Sequence, residues 1–284
     1  LSLGAHVGQA SLGRIDEAWP HWERAVGLFD ELVRREPANF EWVHELAWAW
    51  IGKLNWLLLA GRFDEAAAAG QRAVELRDRA AAMKPGGAHL WHQRAAARSN
   101  LAAALSLAGE HAKALQWQDE ALAIVEQSLA GDAKNMAAQR DRALLGLSRA
   151  RPLAGLGRRD EALAEVRATL AALPASAILP DDFYMARWRA EAFAWLARLQ
   201  RDSHPQEAIA AAREAIAQME GLAGEDHAAR RWATAQGYAE LALAQRRAGE
   251  GAAAADSART ALRLWGDPVP GFFAAQQRAA AEVS

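Results

Sequence analysis

Apolar and small residues recur along the chain at fixed offsets from an alanine that itself returns at near-constant intervals. The reference alanines are Ala18, Ala66, Ala114, Ala162, Ala208 and Ala254. Seven and eight residues after each stand Ala25-Val26, Ala73-Val74, Ala121-Leu122, Thr169-Leu170, Ala215-Ile216 and Ala261-Leu262. Five of these six pairs are alanine followed by an aliphatic. Offsets 0, 1, 7 and 8 share one face of a helix with 3.6 residues per turn, so a helix, termed B, is predicted after each reference alanine. Alanines at 0 and 7 are small enough for a neighbouring helix to come close, and the aliphatic at 8 fills the gap beside them. Before each turn lie alanine- and leucine-rich runs such as Leu101-Ala102-Ala103-Ala104-Leu105 and Leu241-Ala242-Leu243-Ala244. These are strong helix formers and predict a preceding helix A.

A short turn joins A to B. It reads Leu12-Gly13-Arg14-Ile15-Asp16-Glu17-Ala18, Ala60-Gly61-Arg62-Phe63-Asp64-Glu65-Ala66, Ala108-Gly109-Glu110-His111-Ala112-Lys113-Ala114 and Leu156-Gly157-Arg158-Arg159-Asp160-Glu161-Ala162. Its glycines are spaced 48 residues apart, and two worn copies ending at Ala208 and Ala254 follow at intervals of 46. Breakers separate B from the next A: Pro37, Pro85-Gly86-Gly87, Gly131-Asp132, Pro174 with Pro180, and Gly224. Helix A is predicted over residues 39–60, 87–108, 134–156, 182–201 and 227–248, with Asp181 and Ser203 as N-caps and a kink at Pro152. No useful run alternates with period two, so no sheet is predicted.

The Gly-x-x-x-Glu-Ala turn, the alanine-then-Ala-aliphatic pattern of helix B and the link Glu36-Pro37-Ala38-Asn39 together resemble the tetratricopeptide repeat. The likeness spans roughly residues 1 to 265. The period departs from the usual value of about 34 residues. It is similar to a long-period bacterial subclass whose A helix opens on Pro-x-Asn-x-x-Trp, here Pro37-Ala38-Asn39-Phe40-Glu41-Trp42. The resemblance implies an all-α, right-handed superhelical α-solenoid of about six helix pairs, with helix A lining the concave surface. The units expected are 1–36, 37–84, 85–132, 133–176, 177–223 and 224–265, with 266–284 a capping helix or truncated seventh repeat. The first A helix would have only Leu1 to Leu12, so the chain is read as a piece of a larger protein.

Composition narrows the chemistry. The chain has 284 residues, 52 % hydrophobic and 24 % charged, enough to bury a sizeable core. Cysteine is absent, which excludes disulfides, thiolate metal sites and cysteine nucleophiles. A net charge of −2 argues against a general nucleic-acid binder. No signal peptide and no membrane-spanning run are visible, and a cytoplasmic setting is expected. His89 and His92 lie one turn apart on a predicted A helix without a third ligand. Gly155-Leu156-Gly157 follows a helix and is the repeat turn rather than a dinucleotide fingerprint. Asp-Glu pairs opening B helices complement the helix dipole. Nothing brings a nucleophile, base and acid together, so no enzymatic activity and no cofactor are expected.

Charge is distributed unevenly. The A segments 89–107, 134–151, 183–201 and 228–247 sum to +12, whereas the B segments 110–129, 158–172, 205–220 and 250–265 sum to −5. Twelve tryptophans are present, four of them (Trp42, Trp48, Trp50 and Trp56) on one A helix. Trp22 and Trp265 fall at core offsets 4 and 11 of helix B. The groove positions that the resemblance implies carry over to Trp48, Asn55, Arg151, Gln200, Arg201, Arg246 and Arg247. Arginine forks suit carboxylates and tryptophan supplies an apolar anchor. The expected function is a protein-interaction scaffold binding an acidic peptide or protein segment in its concave groove. The alternative is a regulatory or sensory domain of a larger bacterial signalling protein carrying an upstream serine/threonine kinase or winged-helix domain.

Overall fold

The computed structural model describes residues 15–84, 90–173, 182–222, 228–266 and 273–284. Among the described residues every regular element is a helix: α1 (Ile15–Arg35), α2 (Phe40–Leu59), α3 (Phe63–Met83), α4 (Leu90–Leu107), α5 (His111–Gly131), α6 (Met136–Gly155), α7 (Arg159–Ala172), α8 (Phe183–Gln200), α9 (Pro205–Glu220), α10 (Ala228–Arg247), α11 (Gly251–Trp265) and α12 (Ala274–Ala281). The even-numbered helices α2 to α10 are the predicted A helices and the odd-numbered ones are the B helices. They form two compact units, one holding α1 to α6 and the other α7 to α12.

Within the first unit each helix packs on the next, and α4 also touches both α2 and α6. Within the second, α8 packs against α10 and α10 against α12, while consecutive B helices barely meet. In each unit the A helices therefore lie closer together and form the inner side. The helix α12 packs on α10 and α11, the position that a following A helix would take.

The repeated glycine makes the turn. Gly61, Gly109, Gly157 and Gly249 all have φ between 74° and 88°, the left-handed region in which a Cβ is penalised. Two backbone bonds close helix A at three of these turns. Gly61 N–H donates to Leu58 O at 3.1 Å and Arg62 N–H to Leu57 O at 2.9 Å; Gly109 and Glu110 donate likewise to Ser106 O (3.3 Å) and Leu105 O (2.8 Å), and Gly249 and Glu250 to Arg246 O (3.2 Å) and Gln245 O (2.9 Å). This is the Schellman pattern. The copy after α8 lacks the glycine. There Ser203 and His204 N–H both return to Gln200 O, and Pro205 opens α9.

The helix ends differ from expectation in two places. Asp182 caps α8 by accepting from Met185 N at 3.1 Å, whereas the predicted Asp181 lies outside the described residues. His204, not Ser203, is the N-cap of α9 and offers no side-chain cap bond, and Pro205 opens the helix at the position where its missing N–H costs no helical bond. The helix α6 continues through the buried Pro152 to Gly155.

Every reference alanine from Ala18 to Ala254 is buried, and so is offset 7 at Ala73, Ala121, Thr169, Ala215 and Ala261. Offset 8 is more peripheral, half-buried at Val26, Leu122, Leu170 and Leu262. The deep row is completed by offset 4 (Gly70, Gln118, Val166, Ala212, Ala258) and offset 11 (Arg77, Val125, Leu173, Met219, Trp265). Offsets 0, 4, 7 and 11 make one stripe along the helix. Small residues let helices touch through it. A Cβ on Gly70 would lie 2.9 Å from Leu54 Cδ1 of α2 and 3.1 Å from Leu101 Cα of α4. At Gly52 of α2 the Trp22 ring of α1 occupies that space, 2.0 Å from where a Cβ would stand.

Candidate functional site

The residues that the sequence marks as groove candidates divide between the two units. In the first unit Trp48 of α2 is 45 % exposed, the most exposed of the described tryptophans on this helix. It belongs to a cluster drawn from three helices. Its indole Nε1–H donates to His44 Nε2 at 3.2 Å. Its ring lies over the guanidinium of Arg77 from α3, with the centroid 4.8 Å from Cζ. Arg77 Nη1 donates to Gln93 Oε1 of α4 at 3.0 Å and approaches His44 Nδ1 at 3.1 Å and His44 O at 3.5 Å. Arg77 is 1 % exposed, and its Nε and Nη2 have no partner. Burial holds its guanidinium down to about 10, opposed by the charge of Glu45. Burial, and then the Arg77 charge, hold His44 below the ordinary imidazole value.

A different arrangement surrounds Arg98 of α4. It reaches both Asp78 oxygens (Nη2 to Oδ2 2.8 Å, Nη1 to Oδ1 3.0 Å) and Glu120 Oε2 (3.1 Å), while Arg94 Nε binds Asp78 Oδ1 at 2.8 Å. Burial alone would raise the Asp78 carboxyl, but Arg98 and Arg94 outweigh it and hold the group below the usual carboxylate range. Further along this unit Arg142 pairs with Glu126 and Arg149 with Asp119. Asn55 and Arg151 are half-buried on α2 and α6. His92 bonds to Asp141 of α6, and His89 lies outside the described residues. No group of three metal-ligating side chains occurs among the described residues.

In the second unit the predicted residues gather at the ends of α8 and α10. Gln200 is buried and donates to Glu207 Oε2 at 2.6 Å. Arg201 Nη1 donates to Glu240 Oε2 at 3.4 Å, and Arg198 Nε donates to the other Glu240 oxygen at 2.9 Å. Arg246 and Arg247 are exposed; Arg246 Nη1 reaches Glu282 O at 3.4 Å and Arg247 Nε pairs with Asp202 Oδ1 at 2.9 Å.

No protein-family model matches the chain, and no curated protein matches it. Solved structures do. BtubC (BKLC) from P. vanneervenii superposes with a TM-score of 0.60 over 88 % of this chain and 90 % of its own, at 16 % identity. The Cut9-Hcn1 hetero-tetramer of the APC/C gives 0.53 over 95 % of this chain and 45 % of that one, at 15 % identity. A structure of nearly identical TPR-like repeats from Podosopora anserina gives 0.50 over 81 % and 95 %, at 19 % identity. The chain has the tetratricopeptide-like repeat fold.

In this tetratricopeptide-like chain the repeat pattern marks Trp48 but not its partners His44, Arg77 and Gln93. A signal for Arg77 was present. It is the one cation in a column otherwise filled by Phe29, Val125, Leu173, Met219 and Trp265. The charge reading saw the arginines of the tetratricopeptide-like A helices, but not that Asp78, Glu120, Glu126, Asp119, Glu240 and Asp202 stand opposite them.

Proposed function

We propose that the A-helix side of this chain is a protein-binding surface that holds a segment carrying acidic side chains and an apolar anchor. The observation that carries the reading is Trp48, a large aromatic left 45 % exposed on an inner helix and laid over a buried cation. Tryptophan and arginine dominate binding hot spots because one supplies apolar area at low entropy cost and the other a planar donor fork. The exposed Arg246 and Arg247 add positive charge to the inner side of the other unit. Several inner arginines already have carboxylate partners, which favours a few focused contacts over a uniformly basic trough.

The test is fluorescence anisotropy with short, end-blocked peptides, each with one apolar anchor and acidic, neutral or basic flanks. The acidic peptide is expected to bind best, and to weaken as salt shortens the screening length to about 8 Å near 0.15 M. Trp48→Ala is expected to weaken it about tenfold. A double Arg246→Gln, Arg247→Gln variant is expected to lose mainly on-rate. Equal binding of acidic and basic peptides would remove the charge preference. Unchanged binding in both variants would remove this surface.

A further inference from the structure

Arg77 occupies a place in the repeat where the fold needs no charge, since the equivalent positions hold Phe29, Val125, Leu173, Met219 and Trp265, all apolar, the last four buried. A guanidinium has five N–H donors. Those on Nη1 are served by Gln93 and His44. Those on Nε and Nη2 are buried with no partner, and among the described residues no carboxylate forms an ion pair with Arg77, in contrast to Arg98 and its two acids. The surroundings are short of acceptors as well. The Trp48 indole N–H faces one ring nitrogen of His44 and Arg77 Nη1 faces the other, yet a neutral imidazole accepts at only one nitrogen. Three helices thus turn hydrogen-bond donors into one place, and although the Glu45 charge of α2 acts on Arg77, no carboxylate among the described residues pairs with it.

The two unpartnered nitrogens define what would fit. Nε and Nη2 form the side edge of the guanidinium, where two parallel N–H bonds meet the two oxygens of a carboxylate. The chain uses that edge twice elsewhere: Arg62 Nε and Nη2 hold the two oxygens of Glu65 at 2.7 and 2.5 Å, and Arg158 Nε and Nη2 hold those of Glu161 at 2.7 and 2.6 Å. At Arg77 the same edge is free of any such partner, and the cover over the guanidinium face is Trp48, itself half open to solvent.

We propose that the Nε–Nη2 edge of Arg77 is a receptor for one carboxylate of the bound protein segment, admitted when the Trp48 ring turns off the guanidinium. The inference rests on the protein-binding reading above and names its anchoring contact. The incoming carboxylate supplies the two acceptors the edge lacks and a directly paired counter-charge for the buried cation. Displaced from Arg77, the Trp48 ring becomes the apolar surface against which the rest of the segment packs.

The test follows the arginine Nε–Hε signals of the full 15N-labelled chain by NMR, with the Arg77 signal assigned by its loss in Arg77→Met. Methionine fits because Met219 fills the equivalent place, and retention of fold is checked by circular dichroism. Sodium acetate is expected to shift the Arg77 signal saturably while chloride at equal ionic strength does not, and Trp48→Ala is expected to lower the acetate concentration required. The end-blocked acidic peptide is expected to move the same signal, its Gln/Asn counterpart to leave it in place, and Arg77→Met to weaken the acidic peptide about tenfold or more. An Arg77 signal unmoved by acetate in both wild type and Trp48→Ala overturns the proposal. So does an acidic peptide that binds folded Arg77→Met as tightly as wild type; the wider protein-binding reading would survive that result. If acetate moves Arg77 but no acidic peptide binds, the carboxylate receptor stands and the segment-binding reading falls.

Discussion

Single side chains decide how closely these helices approach. Ala73 and Ala121 have no exposed surface and sit at offset 7, where two neighbouring helices close over the B helix. Replacing either by Leu forces extra methylenes into a filled space and is expected to cost about 1–3 kcal/mol, read as a lower urea midpoint. The opposite sign is expected at Arg77. Arg77→Met removes buried donors that lack acceptors and is expected to raise the midpoint, by on the order of 1 kcal/mol. The alanine columns were legible in the sequence because their residues recur with the helical period. Arg77 is harder to read: offset 11 is a core position by the repeat, but an arginine near the end of a helix equally suits a solvated flank with its stem packed and its head in water. The partners of the arginines were invisible for another reason: Asp78 lies 16 and 20 residues from Arg94 and Arg98, and only the packing of α3 on α4 brings them together.

At the level of the helix and its ends, glycine acts in two opposite ways. Gly109 has φ of 88° with open space where a Cβ would go, so the cost of a side chain there is purely conformational. Gly109→Ala is expected to destabilise by about 1–2 kcal/mol. Gly27 lies inside α1, exposed, with nothing near a Cβ. Gly27→Ala is expected to stabilise by about 0.5–1 kcal/mol. Thermal melts of the two variants should move in opposite directions. Helix existence and order followed from the period and the breakers, and the observed A helices begin and end within a few residues of the predicted ones. The caps were less legible. In Pro180-Asp181-Asp182 either aspartate satisfies a cap preference, and the choice depends on which one reaches Met185 N.

For the whole molecule, charge is distributed unevenly along the chain, +12 on four A segments against −5 on four B segments. The structure turns much of it into ion pairs between helices, and these fix how stability responds to acid. His44 is held below its ordinary value by burial and Arg77, with Lys84 adding and Glu45 and Glu41 opposing. Its neutral form is the one the fold prefers. That contribution is complete above the unfolded imidazole pKa of about 6.5 and is lost as pH falls from there towards the folded value. Asp78 is likewise held low, so its contribution persists above the ordinary carboxylate range and is lost as pH falls through its folded value. The urea midpoint is expected to fall in two stages, the first setting in as pH drops below about 6.5. His44→Gln should flatten the first stage alone, and Asp78→Asn the second.

The 48-residue spacing of Gly61 and Gly109 suggests that one period could be cut out cleanly, joining the first turn to Glu110 so that α5 replaces α3. The excision would preserve the left-handed glycine and both of its backbone bonds. It would nevertheless place Gln118 where Gly70 stands, and at Gly70 even a methyl group would lie 2.9 Å from Leu54 Cδ1 of the retained α2. A deletion of residues 62–109 is therefore expected to fold poorly, and the same deletion with Gln118→Gly to recover a cooperative melt. The units share a grammar at their turns but not a gauge at their contacts. Exchangeability in this chain is limited by the width of a single side chain, and any attempt to lengthen or shorten the array must match residues at offset 4 before it matches anything else.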